Sequence, residues 1–511
     1  MNISVLVPIT IIAYLVIMVT IGISFTGKNK NVGDFYLGGR KLGPLVTAMS
    51  AEASDMSSWL LLGLPGVAYL TGGAEAGWTA IGLAIGTYLN WLFFAKRLRV
   101  YSQKVGAITV PDFFSNRYHD KSKVLMGVSA LIILIFFVPY TASGFAACGK
   151  LFGTLFGWDY HMAMIISAVI IILYTTLGGF LAASFTDLIQ SIVMTIALIS
   201  IVVFGINQAG GFDVVMDNAK SIAGYFSLTE IHNVDTNGAD KYGALTIASL
   251  LAWGLGYFGM PHVLLRFMAI EDKNKIKTSR RIASVWVVIS MAVAIFIGFI
   301  GNILSKNGTV ESLSGSDSET IIIKIAMYMS EHSSLLAIIA GLVFAGILAC
   351  TMSTSDSQLL AASSSMSENI LKGVFNLKMS EKKSMLCARA VLLVIAVLGV
   401  ILAWNKDSSV FRVVSFAWAG FGATFGPVML TALFWKRSNK YGAVAGMIVG
   451  AVMVFVWKFV IATHGGVFAI YELLPAFICA LITIVIVSLV TKAPEKEVVA
   501  EYEQVTSEIN K

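Results

Sequence analysis

Long apolar runs and short polar intervals alternate along the whole chain. The runs lie near 5–25, 42–70, 76–95, 124–147, 162–182, 188–207, 243–265, 282–304, 335–361, 386–404, 410–434, 441–461 and 470–491. A helix needs about 20 residues to cross a hydrocarbon core, and each run is near or beyond that length. Spans of this length must satisfy every backbone polar group within themselves, so the pattern predicts an all-α polytopic membrane protein of about 13 transmembrane helices. An odd count places the two termini on opposite sides.

Composition agrees and narrows the class. The 511 residues are 57% hydrophobic and 13% charged, with mean hydropathy +0.81, which excludes a soluble enzyme carrying one anchor. The first run has no Lys or Arg ahead of it, so it reads as a permanent helix and not as a cleavable leader. Cys148, Cys350, Cys387 and Cys479 show no CxxC spacing and suggest neither a zinc site nor a disulfide framework.

The net charge of +7 sits in alternate loops and in the tail. Lys28, Lys30, Arg40 and Lys41 follow the first span; Lys96, Arg97 and Arg99 the third; Arg266 through Arg281 the seventh. Lys378, Lys382, Lys383 and Arg389, then Lys436, Arg437 and Lys440, continue the alternation up to Lys492. This is a topology signal rather than a nucleic-acid surface: it predicts a multi-pass protein of the bacterial cytoplasmic membrane, N-terminus outside and C-terminus cytoplasmic. Residues 1–492 form one transmembrane domain, and 493–511 are a short cytoplasmic tail expected to be disordered or to lie at the surface. No P-loop is present, and the six histidines are not paired at ligand spacing, so neither ATP use nor an enzyme is expected.

Three spans are interrupted by polar or helix-breaking residues. The second carries Glu52, Ser54, Asp55, Ser57 and Ser58, followed by Gly63, Pro65 and Gly66. A charged side chain at mid-membrane costs about 2.5–3.5 kcal/mol, which a bound cation or a partner on another helix must offset. Gly63 to Gly66 favour an interruption whose freed carbonyls can coordinate an ion. The seventh span carries Gly254, Gly256, Gly259 and Pro261 among Trp253 and Tyr257; glycines serve close packing as readily as a break, and the proline tilts the reading to a break. The ninth carries Ser353 and Thr354, hard oxygen ligands suited to sodium, although such hydroxyls also bond within helices.

These stretches, with Leu37 to Pro44 and Trp418 to Pro427, resemble the sodium/solute symporter family, and within it the bacterial proline carriers, from about Tyr14 to the last span. The resemblance implies a LeuT-like core of two inverted five-helix repeats, with the broken second and seventh helices opening each repeat. It implies sodium-coupled uptake of L-proline by alternating access, with membrane lipids around the protein and no obligate protein partner. Sodium ligands would be the carbonyls of Ala53, Met56 and Cys350 and the hydroxyls of Ser353 and Thr354. Substrate contacts would come from Trp59, Gly63, Tyr140, Trp253, Tyr257 and Pro261. Asp55, Ser57, Asp187 and Arg40 are implied in ion coupling and gating.

The aromatic set suits proline, whose ring packs on aromatic faces and whose cationic imino group is drawn to them, though Trp and Tyr are also ordinary interface anchors. For Asp187 two readings stand side by side: an acid on the ion-release route, or a carboxylate at a helix start. Glu52 and Asp356 depart from the family pattern, as acids that tune ion affinity, add a proton-sensitive step, or pair with a base such as Arg40. The same machine carrying another solute (a sugar, sialic acid, pantothenate or another amino acid) is the nearest alternative, and a transporter-like sensor a more distant one.

Overall fold

The computed structural model describes residues 3–25 and 31–510, so Lys28 and Lys30 of the first basic loop and Lys511 of the tail lie outside the described residues. Among the described residues, ten helices are long and apolar enough to cross a bilayer, and the bent pair Ala244–Phe258 with Pro261–Ala269 makes eleven. The two remaining predicted spans occur as shorter pieces. One is Pro44–Asp55 followed by Trp59–Thr71, and the other opens the long stretch Tyr160–Ala209.

That stretch is interrupted at Gly179, where φ is 65° and ψ −172°. Only glycine takes such a backbone without strain. The apolar pattern puts the turn a few residues later, in the polar stretch between 182 and 188; glycine geometry sets it earlier. Asp187 therefore sits about two turns inside a helix, and its reading as a helix-start carboxylate is corrected.

From Pro44 to Phe434 the spans fall into two groups of five, each opened by an interrupted helix. Five is odd, so the second group crosses in the opposite sense to the first, which is what an inverted repeat requires. Burial sorts centre from periphery: the most apolar window is 83% buried in Val410–Phe434 and 72% in Ser334–Val374, but 22% in Lys440–His464 and 33% in Val5–Phe25. The helices carrying polar interruptions are the central ones, because lipid cannot satisfy their hydroxyls, carboxylates and broken backbone. The outer faces present side chains such as Val203, Leu386 and Val490 to lipid.

Between the spans, residues 210–243 hold the helix Phe212–Ser221 and a small antiparallel hairpin, Glu230–Asn233 with Gly238–Lys241, which pairs Glu230 with Lys241 and Asn233 with Gly238. The tail is a helix, Lys496–Asn510, lying on the surface formed by the basic loops. Val498 and Val505 are buried beneath it, and Glu501, Glu503 and Glu508 pair with His119, Lys436 and Lys273. The apolar spacing of i and i+7 with acids between gives it one buried face and one ionic rim; of the two expectations for the tail, disorder or a place at the surface, the structure has the second.

Candidate functional site

The helix Pro44–Asp55 stops in its own polar cluster. Met56 leaves helical geometry with ψ 66°, and the Ser57 N–H bonds the Asp55 carbonyl at 2.7 Å instead of the Ala53 carbonyl that a continuous helix would give it. The break thus lies at Met56–Ser58, upstream of the expected Gly63–Gly66. Those residues fall in a wide turn, Trp59–Gly63, and in the first turn of Leu64–Thr71, where Pro65 needs no hydrogen-bond partner for its nitrogen.

The second break follows the expectation more closely. A tight-wound segment, Ala252–Phe258, leads through Gly259 and Met260 to Pro261 at the start of Pro261–Ala269, with a 45° bend. Gly256 is required by close approach: a Cβ there would lie 2.0 Å from Trp418 Nε1. Gly254 serves packing, since its Cβ would meet the Gly82 carbonyl oxygen at 2.3 Å.

Four of the five implied sodium ligands form one hydrogen-bonded cluster. Ser353 Oγ donates to the freed Ala53 carbonyl at 2.8 Å and to the Cys350 carbonyl at 3.2 Å, and Thr354 Oγ1 donates to Cys350 at 3.1 Å. Met56, the fifth, is the buried residue at which the helix turns off. All five offer hard oxygen donors, the chemistry of a small monovalent cation. Beside them, Asp55 Oδ1, Glu52 Oε2 and Ser58 Oγ are buried without a hydrogen-bond partner among the described residues. Two carboxylates and several freed oxygens with few donors make a place where a cation is favoured.

The two broken helices are tied together through Asp55. Tyr257 donates to Asp55 Oδ2 at 2.6 Å, and Tyr140 donates to the Asp55 carbonyl at 3.4 Å. Ser57 Oγ accepts from the Trp59 N–H at 3.4 Å. Trp59 and Trp253 face each other with ring centroids 6.1 Å apart, and Phe411 closes the group at 6.5 and 5.7 Å. At this spacing the rings touch one another. Asp55, Trp59, Tyr140, Trp253, Tyr257, Ser353 and Thr354 are each at most 3% exposed, so the conformation is closed to water on both sides.

Asp187 lies in a separate buried network. It pairs with Arg266 at 3.1 Å and accepts from Ser50 at 2.7 Å; Arg266 also donates to Ser50 at 3.0 Å and to Ser357 at 2.6 Å. Ser50 belongs to the first broken helix and Ser357 to the helix of Ser353, so the network joins the elements that carry the implied cation ligands. Replacing Asp187 with Ala strands a buried guanidinium, and loss of one partner of such a pair costs about 3–5 kcal/mol. A clearly lowered unfolding temperature of Asp187→Ala in detergent is the expected measurement; an unchanged one would deny the pair its structural weight.

Arg40 meets neither departing acid. Its guanidinium donates to the carbonyls of Met268, Ser102 and Ala107 and to Ser102 Oγ, tying its own turn to the ends of the helices Ala95–Lys104 and Pro261–Ala269. Burial and the neighbouring Arg99 pull its pKa down to about 10, so it remains cationic at neutral pH. Glu52 instead accepts from Trp91 Nε1 at 2.9 Å, and Asp356 from Ser357 at 3.1 Å. The suggested pairing with Arg40 is corrected: that side chain is held by backbone carbonyls on its own side of the fold.

Several residues at the site carry no sequence signal. Phe411 is one, and Tyr471, stacked on Trp253 at 5.0 Å, is another. Trp418 was visible only within its motif; it donates to the Trp253 carbonyl at 2.8 Å and packs edge-on against Tyr257. Glu319 is a third: buried, it pairs with Lys150 at 2.7 Å and accepts from Ser409 Oγ and the N–H groups of Val410 and Phe411. It thereby caps the helix that presents Phe411.

The sodium:solute symporter family model matches residues 35–450. The high-affinity proline transporter PutP of Bacillus subtilis (strain 168) is 41% identical, over 95% of this chain and 98% of that protein. The sodium/proline symporter of Escherichia coli (strain K12) is 42% identical, over 97% and 95%, and the osmoregulated proline transporter OpuE of Bacillus subtilis (strain 168) 40%, over 97% and 96%. Among solved structures, a Na+-coupled sialic acid symporter, substrate-bound and outward-open, aligns with TM-score 0.78 at 19% identity, covering 96% of this chain and 99% of that one. MhsT in complex with L-phenylalanine aligns with TM-score 0.55 at 14% identity, covering 88% and 98%. At these identities the structural likeness speaks for the fold, which is the LeuT-like arrangement of two inverted five-helix repeats.

Proposed function

The chain belongs to the sodium:solute symporter family, and from that premise we infer that it carries L-proline into the cell together with sodium, by alternating access. The observation that carries the reading is the junction of the two broken helices: an oxygen cluster at Ala53, Cys350, Ser353 and Thr354 and an aromatic group led by Trp59 and Trp253 both form at it, and the Tyr257–Asp55 bond joins the two helices. Sodium, held by the carbonyls of Ala53, Met56 and Cys350 and the hydroxyls of Ser353 and Thr354, replaces the hydrogen bonds those atoms make among themselves. The ring contact of Trp59 and Trp253 opens to admit proline, whose imino group lies against the aromatic faces. Tyr140 and Tyr257 edge the same space, with Gly63 and Pro261 shaping its backbone. Freed amides at the breaks supply donors for the carboxylate.

The basic loops face the cytoplasm and the N-terminus lies outside, in the cytoplasmic membrane. Sodium entry supplies the work: a potential of about 100 mV gives roughly 2.3 kcal/mol per charge, and a tenfold gradient adds about 1.4 kcal/mol. One ion then sustains a solute gradient of several hundredfold. Asp187 and Arg266 hold the inner side until sodium leaves past them.

Two measurements test this reading. Binding of labelled proline to the purified protein, with sodium or with choline and with an excess of other amino acids or sugars, should need sodium and be displaced by proline alone among common solutes; displacement by a sugar or sialic acid would transfer the machine to another cargo. Tyr257→Phe keeps the ring and removes the donor to Asp55, a hydrogen bond to a charged group worth about 1.5–3 kcal/mol. Because that bond joins the two broken helices, sodium and proline affinities should fall together; a fall in only one would unlink Asp55 from coupling.

A further inference from the structure

Away from the junction, an apolar cleft of about 460 Å³ opens on the side of the protein between the helices Gly178–Ala209 and Ile276–Lys306. Thr195, Leu198 and Ile199 form one wall and Trp286 and Val293 the other, with Met49 of the first broken helix at its floor. Trp286 Nε1 donates to Thr195 Oγ1 at 2.9 Å across the cleft, so its only strong donor is satisfied and the remaining surface is hydrocarbon. Arg281 to Val293 spans twelve residues of helix, about 18 Å at 1.5 Å per residue, which is more than half of a hydrocarbon core about 30 Å thick. Val285 and Ile289 at the rim are 60% and 56% exposed: the cleft faces bilayer and not another part of the chain.

Its chemistry changes at one end. Arg281 stands at the mouth, exposed, with no carboxylate or hydrogen-bond partner among the described residues. Neighbouring bases are differently employed, Lys275 with Glu271 at 2.7 Å and Arg280 over the ring of Tyr88 at 5.3 Å. A long apolar slot ending in an unpaired guanidinium at the level of the basic loops is complementary to a molecule with a hydrocarbon chain and an anionic head.

We propose that this cleft is a binding site for an anionic phospholipid of the leaflet that meets the basic loops, one acyl chain lying along the cleft over the hydrogen-bonded Thr195–Trp286 pair and the head phosphate on Arg281. The chain then packs on Met49, so the lipid touches the inner half of the first broken helix, the part that must move when the inner side opens.

The test uses the full-length protein in vesicles of phosphatidylcholine containing a trace of photoactivatable phosphatidylglycerol or photoactivatable phosphatidylcholine. The cross-linked peptides are then identified by mass spectrometry. Expected is preferential attachment of phosphatidylglycerol to the 281–293 and 195–199 segments. Arg281→Gln should lower that attachment about fivefold, the factor associated with one basic residue near an anionic surface. Val285→Trp, at an exposed position, should fill the mouth and shift attachment out of the cleft, and both variants should still take up proline. Equal labelling by the two lipids, or labelling indifferent to both substitutions, would make the cleft ordinary lipid-facing surface and overturn the proposal. The readout is attachment and not transport, so its failure leaves the coupling mechanism standing, and the converse holds too.

Discussion

Replacing Ser353 and Thr354 together with alanine should raise the sodium concentration for half-maximal proline uptake about five- to hundredfold, with proline affinity at saturating sodium changed far less. Both hydroxyls now bond carbonyls of the same cluster, Ala53 and Cys350, so alanine removes two of five oxygens that a cation would share. Each lost polar interaction is worth about 0.5–1.5 kcal/mol even for neutral partners, and two together give roughly a five- to hundred-fold change in affinity. The helix itself should survive, because both positions lie inside Ser334–Ser364 and alanine is the best helix former. The measurement is sodium titration of uptake in vesicles, and an unmoved sodium curve would remove these hydroxyls from the ion's path.

Trp253→Ala should produce the complementary result: proline half-saturation up by tenfold or more, sodium dependence close to that of the parent. The indole stacks on Tyr471 at 5.0 Å and faces Trp59 and Phe411, so it is the centre of the aromatic group rather than one member at its edge. A cation against such a face contributes about 0.5–2 kcal/mol, and burial of the ring's apolar area adds to this at about 25 cal/mol per Å². Trp253→Phe should lose only part of the affinity, since a smaller face remains. The backbone carbonyl that accepts from Trp418 is retained in both variants. An identical proline titration for the alanine variant would place the solute elsewhere.

Much of this was legible in the sequence for one reason: a membrane leaves no place for an unsatisfied polar group. Glu52, Asp55, Ser353 and Thr354 stand out in apolar runs, and their helices prove to be the buried ones. Exact break points were harder. Pro65 and Gly66 attract attention as helix breakers, yet the chain parts at Met56–Ser58, where the Ser57 N–H has turned to Asp55; proline in a first turn breaks nothing. Partners distant in sequence were invisible for a different reason. Nothing in the local pattern joins Asp187 to Arg266, or Glu319 to Lys150 and the start of a later helix. The tail, by contrast, could have been read: Val498, Tyr502, Val505 and Ile509 recur at helical spacing, and its acids meet the basic loops.

The account's central claim is coupling, and uphill uptake tests it most directly. Purified protein in proteoliposomes, given labelled L-proline and an inward sodium gradient with the interior negative, should accumulate proline above the external concentration. It should lose that accumulation when the gradient is collapsed or sodium is replaced by choline. Accumulation that persists without sodium, or that a proton gradient alone supports, would contradict the account.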